Sequence, residues 1–216
     1  MIPSGRLLTG RPRLLVIYAT EWGSTAGVAE AIADELRNGG AEVDLSAIGV
    51  APSPALYDGV VVGGPMILGW HKDAVRYVAS HRADLAGRPV AYFLTALSLT
   101  DTGEDDLEGI PLFADSRLAK APRRAGRLGL AERYARPRRY LRRVLRKAPL
   151  VRPVSVAFLG GSLNLMRLDI FRKLFVLLVV RASPRDARNW EEIHRWAREL
   201  LPLLARRNGS LEESSP

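Results

Sequence analysis

The chain predicts an α/β fold, one parallel sheet with helices packed on both faces, on three observations. Nearly unbroken aliphatic runs recur along it, "RLLVIYA" at 13–19, "YDGVVVGGPM" at 57–66, "GRPVAYFLTAL" at 87–97 and "RPVSVAFLGGSL" at 152–163, as strands buried on both faces require. Between several of them lie segments whose apolar residues recur every three or four positions. The two kinds alternate, and right-handed crossovers turn that alternation into a parallel sheet.

The elements follow in order. Residues 13–19 make the first strand, and the next helix carries Val28, Ala29, Ile32, Ala33 and Leu36 on one side and stops at Gly39 and Gly40. "AEVDLSAI", 41–48, alternates as a second strand should, and 57–66 is a third, breaking at a glycine pair. A second helix is expected with Val75, Val78, Ala79 and Leu85 on its stripe, before the fourth strand at 87–97 and the fifth at 152–163. The last helix is expected to begin near Ser183 and Pro184, with Trp190, Ile193, Ala197, Leu200 and Leu204 on its apolar side.

Two stretches exceed this minimal pattern. Residues 100–132 open acidic in "DTGEDDLEG" and turn basic, too long for an ordinary loop, so a functional or disordered insert after the fourth strand is expected. Residues 164–182, "NLMRLDIFRKLFVLLVVRA", are apolar nearly all round, which suits either a buried helix or one lying in a membrane interface. With 216 residues, 47% of them hydrophobic, one domain at 13–207 is expected, between an N-terminal extension (1–12) and a disordered tail (208–216).

Composition excludes several chemistries. Cysteine is absent, so disulfide frameworks, thiol nucleophiles and CxxC metal sites are ruled out. His71, His81 and His194 are scattered, and no metal site is expected from them. His71 in "GWHKD" reads most simply as a polar helix-start residue, and His81 and His194 as surface or packing residues. "MIPSGRLLTGRPR" has no apolar signal core, and the longest apolar run, "LFVLLVV", falls far short of the roughly 20 residues that span a bilayer. A cytoplasmic protein is expected.

The net charge of +9 is concentrated in one segment: residues 115–152 hold 14 Lys and Arg against two acids. In "PRRYLRRVLRKAPL", 137–150, Tyr140, Leu141, Val144, Leu145 and Ala148 share one helical face. Arg138, Arg139, Arg142, Arg143, Arg146 and Lys147 share the other. That basic face has three readings: a solvated surface, attraction to anionic lipid at about 1 kcal/mol per residue, or Arg forks for a substrate bearing carboxylates.

The turn Thr20-Glu21-Trp22-Gly23-Ser24-Thr25 joins the first strand to its helix. A helix N-terminus with free N–H groups, hydroxyls and a glycine can hold a phosphate dianion without a basic residue, although Ser24 or Thr25 could equally be a simple cap. Ligands of open parallel sheets sit beyond the carboxyl ends of the strands where strand order reverses. The loops expected there are "TEWGST", "GGPMILGWHKD" and "TALSLTD". In the second, Pro65, Met66, Ile67, Leu68 and Trp70 suit a flat aromatic ligand.

These residues resemble the flavodoxin family, whose first loop runs T-x-T-G-x-T; Thr20, Gly23 and Thr25 match, and Trp22 departs. Through "YDGVVVGGPMILGWHKDAVRYV" (57–78), the long insert and "VAFLGGSLNLMRLDIFRKLFVLLVV" (156–180), the chain is most similar to the flavodoxin-like, quinone-dependent protoporphyrinogen IX dehydrogenases and their relatives. The resemblance implies a five-stranded parallel sheet of order 2-1-3-4-5 and an FMN cofactor. It places the phosphate at Thr20, Glu21, Trp22, Gly23, Ser24 and Thr25. The flavin ring would lie between Pro65, Met66, Ile67, Leu68, Gly69 and Thr95, Ala96, Leu97, Ser98, Leu99. It further implies a porphyrinogen-like substrate, a quinone acceptor and peripheral association with the inner face of the cell membrane through Arg138, Arg139, Arg142, Arg143 and Arg146. No acid–base residue is assigned, because the flavin performs the redox step. A flavodoxin-type electron carrier without its own substrate, and a domain that has lost its flavin, stand as alternatives. Nucleic-acid binding through the Arg-rich helix has no accompanying motif and is not expected.

Overall fold

Leu14, Leu15, Val16 and Ile17 are all fully buried, so the first strand, β1 (Arg13–Tyr18), is covered on both faces, as its unbroken aliphatic run requires. The structure, a computed structural model, describes residues 10–20, 23–66, 69–101, 103, 106–122, 128–162 and 186–205. The apolar stretch 164–182, the tail 208–216, Ser183 and Pro184, and most of the N-terminal extension lie outside the described residues.

A central sheet is built from β1 with β2 (Glu42–Ala47), β3 (Gly59–Pro65), β4 (Val90–Ala96), β6 (Asp106–Leu107), β7 (Ile110–Ala114) and β9 (Pro153–Gly160), in the order β2-β1-β3-β4-β9-β7-β6. Counting β9 as the fifth expected strand, the order 2-1-3-4-5 is present, and each of its pairings is parallel. Two further strands, β5 (Leu99–Thr100) and β8 (Ala119–Lys120), form a small parallel pair of their own.

The helices divide between the faces. Leu14, Val16, Val61, Phe93, Ala157 and Leu159 pack against α1 (Ser24–Asn38) and α6 (Trp190–Leu204). Their neighbours of opposite parity, Leu15, Ile17, Val62, Tyr92, Leu94 and Phe158, meet α2 (Lys72–Ser80), α3 (Arg82–Ala86) and α5 (Pro137–Lys147). A short α4 (Leu130–Tyr134) precedes α5. Each fully buried aliphatic or aromatic side chain contributes about 1.5–3 kcal/mol, so the two-faced core is the main source of cohesion. The packing leaves no slack at Gly63, where a methyl group would stand 1.9 Å from the Phe93 ring.

Four sequence expectations are corrected. In its described part the insert 100–132 is neither a plain loop nor structureless: β7 lies parallel to β9 and extends the sheet, and β6 folds back on β7 as a hairpin. The signal was weak because "IPLFA" is short and contains proline, which the sheet tolerates near its edge. The single helix expected after the third strand is two, α2 and α3, with Val75 and Val78 buried in the first and Leu85 in the second. The break falls at His81, whose ring stacks on Tyr77 with centroids 4.2 Å apart. The last helix begins at Trp190, because Asp186 bridges to Ser162 and Ala187 donates to the carbonyl of Gly161, holding 186–189 out of the helix. Trp190 itself is 41% exposed, and the buried indole of that helix is Trp196, which donates to Ser155 Oγ at 3.0 Å.

α5 follows its two-faced pattern. Tyr140, Leu141 and Val144 are buried against the sheet, and Arg138, Arg139, Arg142, Arg143, Arg146 and Lys147 are exposed.

Candidate functional site

The carboxyl ends of β1, β3 and β4 lie side by side, because β3 pairs with β1 on one side and β4 on the other. The turns that leave these strands therefore meet at one edge, beside the point where strand order reverses. Cross-links fix them. Ala19 donates to the carbonyl of Gly63, Met66 to that of Thr95 and Gly161 to that of Ala96, each at 2.9 Å.

In the first turn Thr20 is exposed, and its Oγ1 accepts from the N–H of Gly23 at 2.8 Å. Gly23 takes φ +87°, a left-handed conformation that L side chains adopt only at a cost. It is the N-cap of α1 and provides no side chain to the helix N–H groups, and no acidic residue occupies the first turn. The N-terminal N–H groups of a helix, left without a side-chain cap and without a competing carboxylate, attract an anion. Ser24 is half-buried beside them. Thr25 is fully buried, and its hydroxyl meets that of Thr95 at 3.0 Å, bridging the first turn to the end of the fourth strand. Glu21 and Trp22 lie outside the described residues.

The second turn is tight. Met66 and Trp70 form an antiparallel bridge, His71 donates its N–H to the carbonyl of Pro65, and Gly69 takes φ +135°. Pro65, Met66 and Gly69 are half-buried at the edge; Ile67 and Leu68 lie outside the described residues. Trp70 does not belong to the apolar surface expected of this turn. It is 2% exposed and packs on Tyr92 with ring centroids 4.9 Å apart, because the bridge to Met66 turns it inward. His71 Nδ1 accepts from the N–H of Asp73, so His71 caps α2.

In the third turn Thr95, Ala96 and Leu99 are buried and only Leu97 and Ser98 are half-exposed. Tyr140 of α5 donates its hydroxyl to the carbonyl of Ser98 at 3.1 Å, and Thr100 donates to the carbonyl of Glu132 at 2.9 Å. Burial pushes the Tyr140 phenol well above its ordinary value, which keeps it a donor. The insert and the basic helix thus hold the turn. A cleft of about 480 Å³ opens beside Thr20, between Ile48 and Gly49 on one side and Tyr77 and His81 on the other.

One residue beside the first turn escaped the sequence reading. The guanidinium of Arg188 lies against the first turn of α1, where a methyl group on Gly27 would stand 3.1 Å from its Nη1. Asp186 accepts from Arg188 Nε at 2.8 Å and from Nη2, and the guanidinium stacks over Trp190 at 4.7 Å from the ring centroid. The Asp-x-Arg spacing was the only local signal, and it does not point to a helix more than 150 residues upstream.

A flavodoxin domain family model matches residues 15–188. The chain belongs to the flavodoxin domain family. Among solved structures, a flavodoxin from the domain Archaea is similar at 10% identity, covering 89% of this chain and 98% of that one with a TM-score of 0.48. Flavodoxin 1 from Bacillus cereus is similar at 13% identity, covering 88% and 97%, with a TM-score of 0.47. A Fusobacterium nucleatum flavodoxin bound to flavin mononucleotide is similar at 13% identity over 39% of this chain and 52% of that one, with a TM-score of 0.33. No curated protein matches the chain in sequence. In this flavodoxin domain the family's first-loop positions Thr20, Gly23 and Thr25 all stand at the first turn, two of the three with their backbone at the open end of α1.

Proposed function

We propose that this protein is an FMN-dependent oxidoreductase that takes electrons from a porphyrinogen-like substrate and passes them to a quinone. The observation that carries the flavin part is the N-terminus of α1, which among the described residues has no side-chain cap and no acidic residue in its first turn, standing beside two cross-linked turns at the strand-order reversal. The donor set fits the cofactor: the N–H groups of Ser24 and Thr25 and the hydroxyls of Thr20 and Ser24 suit its phosphate, with the Gly23 N–H holding Thr20 Oγ1 in place. Pro65, Met66 and Gly69 on one side and Leu97 and Ser98 on the other suit the edges of a flat ring. Thr95, Ala96 and Leu99 are buried and act by setting the turn. The bound flavin supplies the electron chemistry, and the protein's residues orient it and shield it from water.

A substrate of the protein's own is supported by what exceeds a minimal domain. The insert and α5 hold the Ser98 turn, a cleft adjoins Thr20, and a row of exposed arginines could receive the carboxylates of a porphyrinogen. The likeness of residues 57–78 and 156–180 to quinone-dependent protoporphyrinogen IX dehydrogenases favours the same substrate class. Arg138, Arg139, Arg142, Arg143 and Arg146 face outward, and Leu150 near the end of α5 is 75% exposed, which supports approach to an anionic membrane where quinones reside. Among the described residues no helix is long and apolar enough to cross a membrane. Family membership is equally consistent with an electron carrier that has no small-molecule substrate.

The test is anaerobic. Purified protein should absorb as a flavoprotein and release FMN on denaturation; protoporphyrinogen should bleach the flavin band and a quinone restore it. Bleaching by reduced protein partners but by no porphyrinogen would favour the carrier, and a colourless protein that ignores added FMN would overturn both.

A further inference from the structure

We infer that Arg188 reads the anionic end of the group bound at the N-terminus of α1, and so makes the site prefer a phosphorylated flavin to riboflavin. The inference rests on the flavin reading above and adds a residue to it. Asp186 engages Nε and Nη2 of Arg188, leaving both N–H groups of Nη1 with no hydrogen-bond partner among the described residues. That nitrogen is the one lying against Gly27, the fourth residue of α1, in its first turn.

The guanidinium is also held where it is needed. A carboxylate grips it from one edge, the Trp190 ring supports one face, and its side chain is only 22% exposed. The pairing with Asp186 raises its already high pKa, so the charge is permanent. The segment that carries it is anchored in turn: Ala187 donates to Gly161, Asp186 bridges to Ser162, and Asn189 Nδ2 donates to the buried Asp115 at 3.2 Å. A planar fork with two of its five donors spent on a carboxylate and both donors of Nη1 left over is suited to a dianion, and its rotamer freedom is already lost before binding. A methyl group at position 27 would crowd Nη1 at 3.1 Å, so the glycine lets the guanidinium sit close to the helix.

The test is a pair of fluorescence-quenching titrations, with FMN and with riboflavin, on the wild type, Arg188→Ala and Arg188→Lys. A charge-assisted contact of this kind is expected to lower FMN affinity about tenfold or more in Arg188→Ala and to leave riboflavin affinity unchanged. Arg188→Lys, which keeps the charge but cannot hold Asp186 with a fork, should fall between. The riboflavin titration reports whether the site still folds. Equal losses for both flavins, or an FMN to riboflavin ratio unchanged in both variants, would overturn the role of Arg188 while leaving FMN binding intact. A wild type that binds neither flavin would overturn the flavin reading and this inference together.

Discussion

The hydroxyls of Thr25 and Thr95, 70 residues apart in sequence, meet at 3.0 Å in a fully buried bridge between the first turn and the fourth strand. One of the two must donate and the other accept, so each depends on the other. Replacing either by valine leaves a buried hydroxyl without its partner and should cost about 1–3 kcal/mol, whereas replacing both should cost less than the sum. Urea denaturation of the two single variants and the double variant measures this. Strict additivity would mean the hydroxyls do not depend on one another.

The first turn separates two roles. Thr20 is exposed and supports the N–H of Gly23, while Thr25 faces inward. Thr20→Val should therefore weaken FMN binding severalfold with little change in melting temperature, and Thr25→Val should do the reverse. Gly23→Ala should do both, since φ +87° costs an alanine about 1 kcal/mol.

Gly63→Ala should be strongly destabilising. The added carbon would overlap the Phe93 ring, and overpacking of this kind costs about 1–3 kcal/mol or more. A thermal melt within a degree of wild type would show that Phe93 has room to move.

Glu35 ties α1 to α6 by accepting from His194 Nδ1 at 2.8 Å and Arg198 Nη1 at 3.2 Å. Those bonds, that from His194 foremost, hold its carboxyl below the ordinary value of 4.5. A lowered pKa contributes stability that is complete above pH 4.5 and is lost as the pH falls through the lowered value. Glu35→Gln should lower stability at neutral pH by no more than about 1 kcal/mol, because the pair is near the surface, and the difference should vanish in acid. Calorimetry across that range decides it.

Reversing charge at Arg142 and Arg146, both exposed on α5, should release the protein from vesicles containing anionic lipid at low salt. Partition equal to wild type would leave the basic face a solvated surface.

Much of this architecture was legible in the sequence, and the reasons are local. Leu14 to Ile17 announce a strand buried on both sides, and the alternating faces of α5 read directly as buried Tyr140, Leu141 and Val144 against exposed arginines. The turn from Thr20 to Thr25 could be placed by its glycine and its position between strand and helix. What the pattern could not reveal depends on contacts across the chain. Whether a threonine hydroxyl points at a ligand or at Thr95 is decided 70 residues away. Trp70 reads as part of an apolar surface until its bridge to Met66 turns it into the core. Arg188 is one arginine among many in a basic chain, and nothing near it names Gly27 as its neighbour.

The place of β7 in the sheet constrains the order in which the chain can assemble. Residues 112–114 pair in parallel with residues of β9 more than 40 positions later, so during synthesis this strand waits for a partner not yet made. The β6–β7 hairpin can close on its own, but it has nothing to dock on until β9 has paired with β4. Until then an unpaired strand edge is available to other chains.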